Sequence, residues 1–348
     1  MKRKIKTGLI IVIIIIAFLL IEHLLVPKYQ TSLEEGNFTY EYYNEDKNHE
    51  VIFIGDCEVY SNFNPLVLYE EYGITSYIRG NSQQMIWQAY YLLKETLKYE
   101  IPKIVILNIN AMRYDKVYNE GYNRLMFDKM KPSLLKYQAI KESLTEKESL
   151  LEYVFPILRY HSRWSELSSE DFKYYFETNN NTYNGYQLKV AIKGAENIKE
   201  GKKLGNYTFS NKNYEYLNKI KNLCQENNIE LILIKAPSLT PYWYQEYEKQ
   251  IIDYARINNL KYINFLDYIT EIGLDYSKDT FDYGAHLNVY GADKLTKYMG
   301  SYLKENFDLI DHRNNPQIDM IYLHKIKEYK EKLMKEIKKY ETSKNIDN

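Results

Sequence analysis

The sequence predicts an α/β protein: a doubly wound parallel sheet interrupted by a helical insertion and preceded by a transmembrane helix. Three observations lead there. Short apolar runs, each closing on Gly55, Arg79-Gly80 or Asn108, alternate with longer amphipathic stretches. The alternation stops near residue 113 and resumes near 206. An unbroken apolar run from Gly8 to Ile21 follows Lys2, Arg3, Lys4 and Lys6.

The N-terminal run is interrupted by Glu22 and His23 and resumes over Leu24–Val26 before Pro27. It reaches the roughly 20 residues of a membrane span when those two polar residues sit at an interface. A cleaved signal peptide needs a shorter apolar stretch and a small-x-small site, which neither Glu22-His23-Leu24 nor Val26-Pro27-Lys28 supplies. The expectation is a single-pass signal anchor in the cell membrane, with a cleaved signal or a buried core helix as alternatives. The basic end stays cytoplasmic and the body lies outside the cytoplasm. Such a body has no ATP or NAD pool to draw on, so no cofactor is expected and the substrates come from the envelope.

Residues 28–49 read as a polar stalk. Val51–Ile54 is the first strand, Asn64-Pro65 opens a helix that Gly73 stops, and Thr75–Ile78 is the second strand. Residues 83–99 form an amphipathic helix and Ile104–Leu107 the third strand. From 113 to 205 the chain is polar and Tyr-rich, with an Asn run at 179–181, and reads as inserted helices and loops. Helix 213–227, strand Leu231–Ile234, helix 241–257, strand Tyr262–Phe265 and a helix after Asn288 complete the sheet. The α/β domain is thus 50–112 with 206–310. In the tail, 311–348, Leu323, Ile326, Leu333, Ile337 and Tyr340 mark an amphipathic helix that docks on the body, a partner or lipid.

Composition narrows the function. The 348 residues are 45% apolar and 27% charged, which excludes a disordered chain or a many-span membrane protein. A formal net charge of −1 gives no field for nucleic acid. Two cysteines exclude a disulfide scaffold and a four-thiolate zinc site, and no metal-ligand spacing appears. The 38 tyrosines are read as a compositional bias or as a sugar-stacking surface.

Ligands of such sheets bind beyond the carboxyl ends of the strands. Strand one ends in Gly55-Asp56-Cys57-Glu58, where a glycine permits the tight turn that presents a nucleophile. Strand two ends in Gly80-Asn81-Ser82 and strand three in Asn108-Ile109-Asn110, the donor types an oxyanion hole needs. Asp282 precedes His286-Leu287-Asn288, placing a carboxylate beside an imidazole. Among six histidines, His23 lies in the anchor, His49 in the stalk, His161 in the insertion, and His312 and His324 in the tail.

With these blocks in this order, the chain resembles the SGNH/GDSL hydrolase superfamily over about 50–112 and 206–305. More closely it resembles membrane-anchored clostridial members that accompany membrane-bound O-acyltransferases, distantly like the lipoteichoic acid D-alanylation protein. The resemblance implies an SGNH/flavodoxin-like three-layer sandwich, with Cys57 as nucleophile, His286 as general base and Asp282 as its orienter. It also implies Gly80 and Asn110 in the oxyanion hole. Arg79, Asn81, His161 and Arg163 are candidate substrate-binding residues, the last two from the charged and aromatic run Arg159–Trp164.

Three departures stand out. Cys57 replaces the family's serine, three residues rather than two separate Asp282 from His286, and Asn108 stands where a third-block glycine is usual. A thiolate forms a thioester that passes readily to a hydroxyl, so a cysteine here suits acyl transfer. The expected function is O-acyl transfer or removal on a cell-envelope polysaccharide or teichoic-acid-like acceptor, beside a membrane-bound O-acyltransferase. The alternative is a catalytically retired accessory protein that binds polymer or scaffolds that partner. Cys224 falls on an apolar helical stripe and reads as core.

Overall fold

Five parallel strands form one sheet: β1 (Val51–Gly55), β2 (Ser76–Gly80), β3 (Ile104–Asn108), β4 (Glu230–Lys235) and β5 (Lys261–Asn264), in the spatial order β2-β1-β3-β4-β5. The computed structural model describes residues 2–27, 38–173, 182–195 and 200–346. The Asn run at 179–181 lies outside them.

The central strands β1, β3 and β4 are apolar along their buried lengths, up to the last residue, because both faces are covered. Ile52, Ile54, Val105, Leu107, Leu231 and Leu233 enter one core, with Leu92 of helix Ile86–Thr96, Leu217 and Cys224 of helix Asn211–Glu226, and Ile251 of helix Gln245–Ile257. Val51, Phe53, Ile104, Ile106, Ile232 and Ile234 enter the other, with Leu66 of helix Pro65–Tyr72 and Leu295, Met299 and Leu303 of helix Val289–Asn306. The helix leading to β2 and those leading towards β5 lie on opposite faces, as crossovers of one hand require. The chain therefore leaves β1 and β3 in opposite directions, which opens a crevice between their carboxyl ends.

The local signals act as read at several points. Asn64 caps its helix by accepting from Leu66 N at 3.0 Å, and Gly73 ends it in the left-handed conformation, φ 69°. Other parts differ from the expectation. A separate helix, Cys57–Asn62, follows β1 directly. The expected stalk is in its second half a helix, Phe38–Asn44, whose Phe38 and Tyr42 are buried in the body. Phe38 meets Tyr60 edge-on, and Tyr42 lies under the Arg79 guanidinium. A polar composition concealed it because aromatic tyrosines supply its buried face.

The long helix Pro316–Ile346 turns Tyr322, Ile326 and Tyr329 into the body, while Leu323 is 56% exposed. Of the expected face, Ile326 is buried, Leu333 packs on the core and Tyr340 bonds to Ile192, while Tyr322 and Tyr329 rather than Leu323 complete it. Tyr322 stacks on Tyr69 with centroids 4.0 Å apart. The insertion contains helices Glu120–Phe127, Leu134–Ser143, Leu150–Val154, Ile157–Tyr160 and Ser169–Lys173. Its last described part, 182–195, returns to the sheet: Asn184 O accepts from Ile78 N at 3.0 Å. Helix Lys2–Leu25 carries a 22-residue stretch, Lys4–Leu25, long and apolar enough to cross a membrane.

Candidate functional site

Gly55 closes β1 because nothing larger fits: a Cβ there would meet Val59 Cγ2 at 2.4 Å and Asn108 Cβ at 2.8 Å. This close approach lets the chain turn at once into helix Cys57–Asn62. Asp56 caps that helix, accepting from Glu58 N at 3.2 Å. Its carboxylate also accepts from Asn108 Nδ2 at 3.1 Å and Asn110 Nδ2 at 2.7 Å. Asp56 thereby ties the turn that carries Cys57 to the end of β3 across the crevice.

Cys57 is half-buried and free of any disulfide. It lies close enough to the His286 imidazole for each group to shift the other's ionisation. Asp282 holds His286 at two points, with Oδ2 2.6 Å from Nδ1 and Oδ1 accepting from the His286 N–H at 2.7 Å. The extra residue between acid and base is absorbed by Tyr283 and Gly284, both left-handed at φ 63° and 89°. Phe281 stacks on the imidazole at 5.7 Å. Asn288 caps the following helix from Oδ1, and Leu287 N donates to Asn62 Oδ1 at 2.8 Å, so the histidine loop is latched to the cysteine's own helix.

The electrostatics follow from this packing. Burial pushes the Cys57 thiol above its ordinary value, more than the neighbouring imidazole pulls it down, and Asp56 adds to the rise. For His286, burial by itself favours the neutral ring, but Cys57 and the Asp282 hydrogen bond outweigh it and hold the imidazole well above its ordinary value.

Behind the cysteine lies a buried charge network that sequence reasoning missed. Glu58 accepts from Lys235 Nζ at 3.0 Å and Asn108 Nδ2 at 2.9 Å, and Lys235 also donates to Ala236 O at 2.6 Å. Lys235 and Glu58 are almost fully enclosed, so each is tolerable only because of the other. The available signal was a lysine closing the apolar run Leu231–Ile234, at a strand's carboxyl end.

The remaining candidates divide. Gly80 ends β2 opposite Gly55, and a Cβ there would stand 3.2 Å from Gly55 O. Asn110 is buried and gives its amide to Asp56, with Oδ1 unpartnered. Asn81 is buried and donates to Gln84 Oε1 at 3.3 Å. Arg79 is a correction: it is 2% exposed, donates to Glu95 and Thr96 at 3.0 and 3.2 Å, and is a core ion pair rather than a substrate ligand. The parity of β2 sends residue 79 inward with Tyr77. His161 and Arg163 are not brought to Cys57. Arg163 binds the carbonyls of Leu24 and Leu25, and His161 Nδ1 lies 3.0 Å from Leu158 O.

A cavity of about 390 Å³ lies beyond β3, walled by Arg113, Tyr114, Tyr118, Phe209 and Tyr247 among others. Its wall includes residues 112–115, which come soon after Asn110 beyond the carboxyl end of β3. Among the described residues no group of three or more His, Cys, Asp or Glu side chains is arranged to hold a metal ion.

Among solved structures, the chain is similar to a GDSL-like lipase from Bacteroides thetaiotaomicron, at 13% identity and TM-score 0.37, covering 79% of this chain and 100% of that one. It is also similar to a protein of the G-D-S-L family from Desulfitobacterium hafniense, at 14% identity and TM-score 0.38, covering 73% and 99%. A third, named as an acylhydrolase, comes from Bacteroides fragilis, at 12% identity and TM-score 0.37, covering 80% and 99%. At these values the likeness carries no chemistry across. No protein-family model and no curated protein matches the sequence.

Proposed function

We propose that the protein is an SGNH-type enzyme that forms an acyl-enzyme at Cys57 and transfers or hydrolyses ester-linked acyl groups. The observation that carries the reading is the Cys57–His286–Asp282 series, in which the imidazole is held by the carboxylate at 2.6 Å and acts on the ionisation of the Cys57 thiol. Cys57 Sγ attacks the acyl carbon, His286 takes the thiol proton and returns it to the departing alcohol, and Asp282 keeps the ring in one tautomer. A second hydroxyl, or water, then attacks the thioester with His286 as base. Gly80 and Asn110 border the place where the oxyanion forms, Asn110 through the amide hydrogen not given to Asp56.

The acceptor is a sugar hydroxyl of a cell-envelope polymer, which the tyrosine-walled cavity suits. The partner is a membrane-bound O-acyltransferase, consistent with an anchored body. An activated-ester probe tests the chemistry: the full chain becomes labelled, and Cys57→Ala abolishes labelling while Cys224→Ala leaves it. Normal polymer acylation in cells carrying Cys57→Ala would instead favour the accessory-protein reading.

A further inference from the structure

Where the apolar N-terminal helix ends, it is held by the insertion. Arg163 Nη1 donates to Leu25 O at 3.0 Å, and Ile157 N donates to the Glu22 carboxylate at 3.3 Å. Leu25 and Val26 are buried with Tyr160 against Ile157 and Leu167. At about 1.5 Å of rise per residue, groups that touch residues 22–26 lie within roughly 6 Å of one level along the helix axis. For a helix that crosses a bilayer, that level is the headgroup region.

The insertion has the surface such a level calls for. Leu151, Phe155, Leu158, Trp164 and Phe172 are between 47% and 65% exposed within one stretch of 22 residues. Clustered apolar side chains of that size are a liability in water and an anchor at a membrane. Beside them opens a pocket of about 510 Å³, bordered by Pro27 and carrying the guanidiniums of Arg124, Arg159 and Arg163 against the carboxylates of Glu120 and Glu166.

Arg159 is paired with Glu120 at 2.8 Å and Arg163 with Asp171 at 2.5 Å. Arg124 is different. Its side chain is 1% exposed and lies over the Tyr153 ring. Nη1 donates to Glu152 O at 3.1 Å and Asp128 Oδ1 at 3.3 Å, whereas Nε and Nη2 make no hydrogen bond and meet the Glu120 and Glu152 carboxylates only at 3.5 and 3.6 Å. A buried guanidinium with unsatisfied donors is costly unless an acceptor completes it.

We propose that this pocket binds the phosphate headgroup of an anionic phospholipid, drawn from the membrane that the N-terminal helix crosses. Phosphate oxygens satisfy Arg124 and bridge Arg159 and Arg163, while the lipid tails run alongside Trp164 and Leu158. The proposal rests on Lys4–Leu25 being a membrane span and is independent of the chemistry at Cys57.

Two measurements on the full chain test it. In vesicles containing phosphatidylglycerol with brominated acyl chains, Trp164 fluorescence is quenched, and Trp164→Phe removes the quenched component because Trp87 and Trp243 are buried. Equal quenching in both proteins overturns the proposal. In neutral detergent, short-chain phosphatidylglycerol binds about tenfold more weakly to Arg159→Gln/Arg163→Gln, a loss of about 1.4 kcal/mol. Arg159→Gln alone, at a half-exposed side chain, loses about threefold. Unchanged affinity in both variants, or displacement by inorganic phosphate at equal concentration, overturns the headgroup assignment. A chain that stays in solution without detergent shows instead that the helix is not a span.

Discussion

Cys57 stands between burial, which resists ionisation of its thiol, and the His286 imidazole, which favours it. Removing the imidazole leaves burial unopposed, so His286→Ala raises the thiol's apparent pKa further. Iodoacetamide modification of Cys57 then slows at neutral pH and recovers at alkaline pH. Coincident pH profiles for His286→Ala and the parent would detach the two residues. Cys224 does not confuse the measurement: burial pushes its thiol up to about 12 and encloses it in the core. Lys235 bears on the same balance. Paired with Glu58, it offsets one of the two carboxylates beside the thiol, both of which otherwise hold Cys57 un-ionised.

The elements brace the site from outside the sheet's own connections. The end of the insertion lies along the histidine loop, with Lys193 O accepting from Tyr283 N and Thr280 O accepting from Lys193 N, both at 2.9 Å. The C-terminal helix is fastened by side chains instead, above all Tyr322, which stacks on Tyr69 and accepts from Asn184 Nδ2 at 3.1 Å. Tyr322→Ala therefore costs about 3–5 kcal/mol, as for other buried aromatic truncations. Leu323→Ala, at the exposed neighbouring position, costs less than about 0.5 kcal/mol. Denaturant midpoints of the two variants check this, and similar losses would mean that the helix turns the other face inward.

At the scale of the whole molecule, the anchor sets what the site meets. If the basic end of helix Lys2–Leu25 is retained in the cytoplasm, residues beyond Pro27 face the envelope. Lys338→Cys in a Cys57→Ala background is then labelled by a membrane-impermeant maleimide in intact cells. Labelling only after lysis would place the body in the cytoplasm and remove the envelope polymer as acceptor. A soluble product lacking residues 1–27 would show cleavage.

Much of this arrangement was legible locally. The central strands announced themselves because a parallel strand buried on both faces must be apolar along its length, and Gly55, Asp56 and Cys57 marked a tight strand-to-helix turn. His286 stood out because a carboxylate precedes it closely in the chain, and an acid and base four residues apart can meet within one loop. By the same physics, what depends on distant segments left no local trace. The Glu58–Lys235 pair joins residues 177 positions apart. Arg79 looked available beside a glycine until Glu95, Thr96 and Tyr42 enclosed it. Within Arg159–Trp164, Arg163 was drawn to the N-terminal helix rather than the cysteine because its partners, Leu24 and Leu25, lie some 138 residues upstream. Sequence determined the strands, the apolar N-terminal helix and the residues that meet at the strand ends, because backbone geometry and hydrophobic periodicity act over a few residues. Tertiary structure decided which charges are consumed in the interior and which remain for chemistry, because burial and pairing are settled only when remote segments pack.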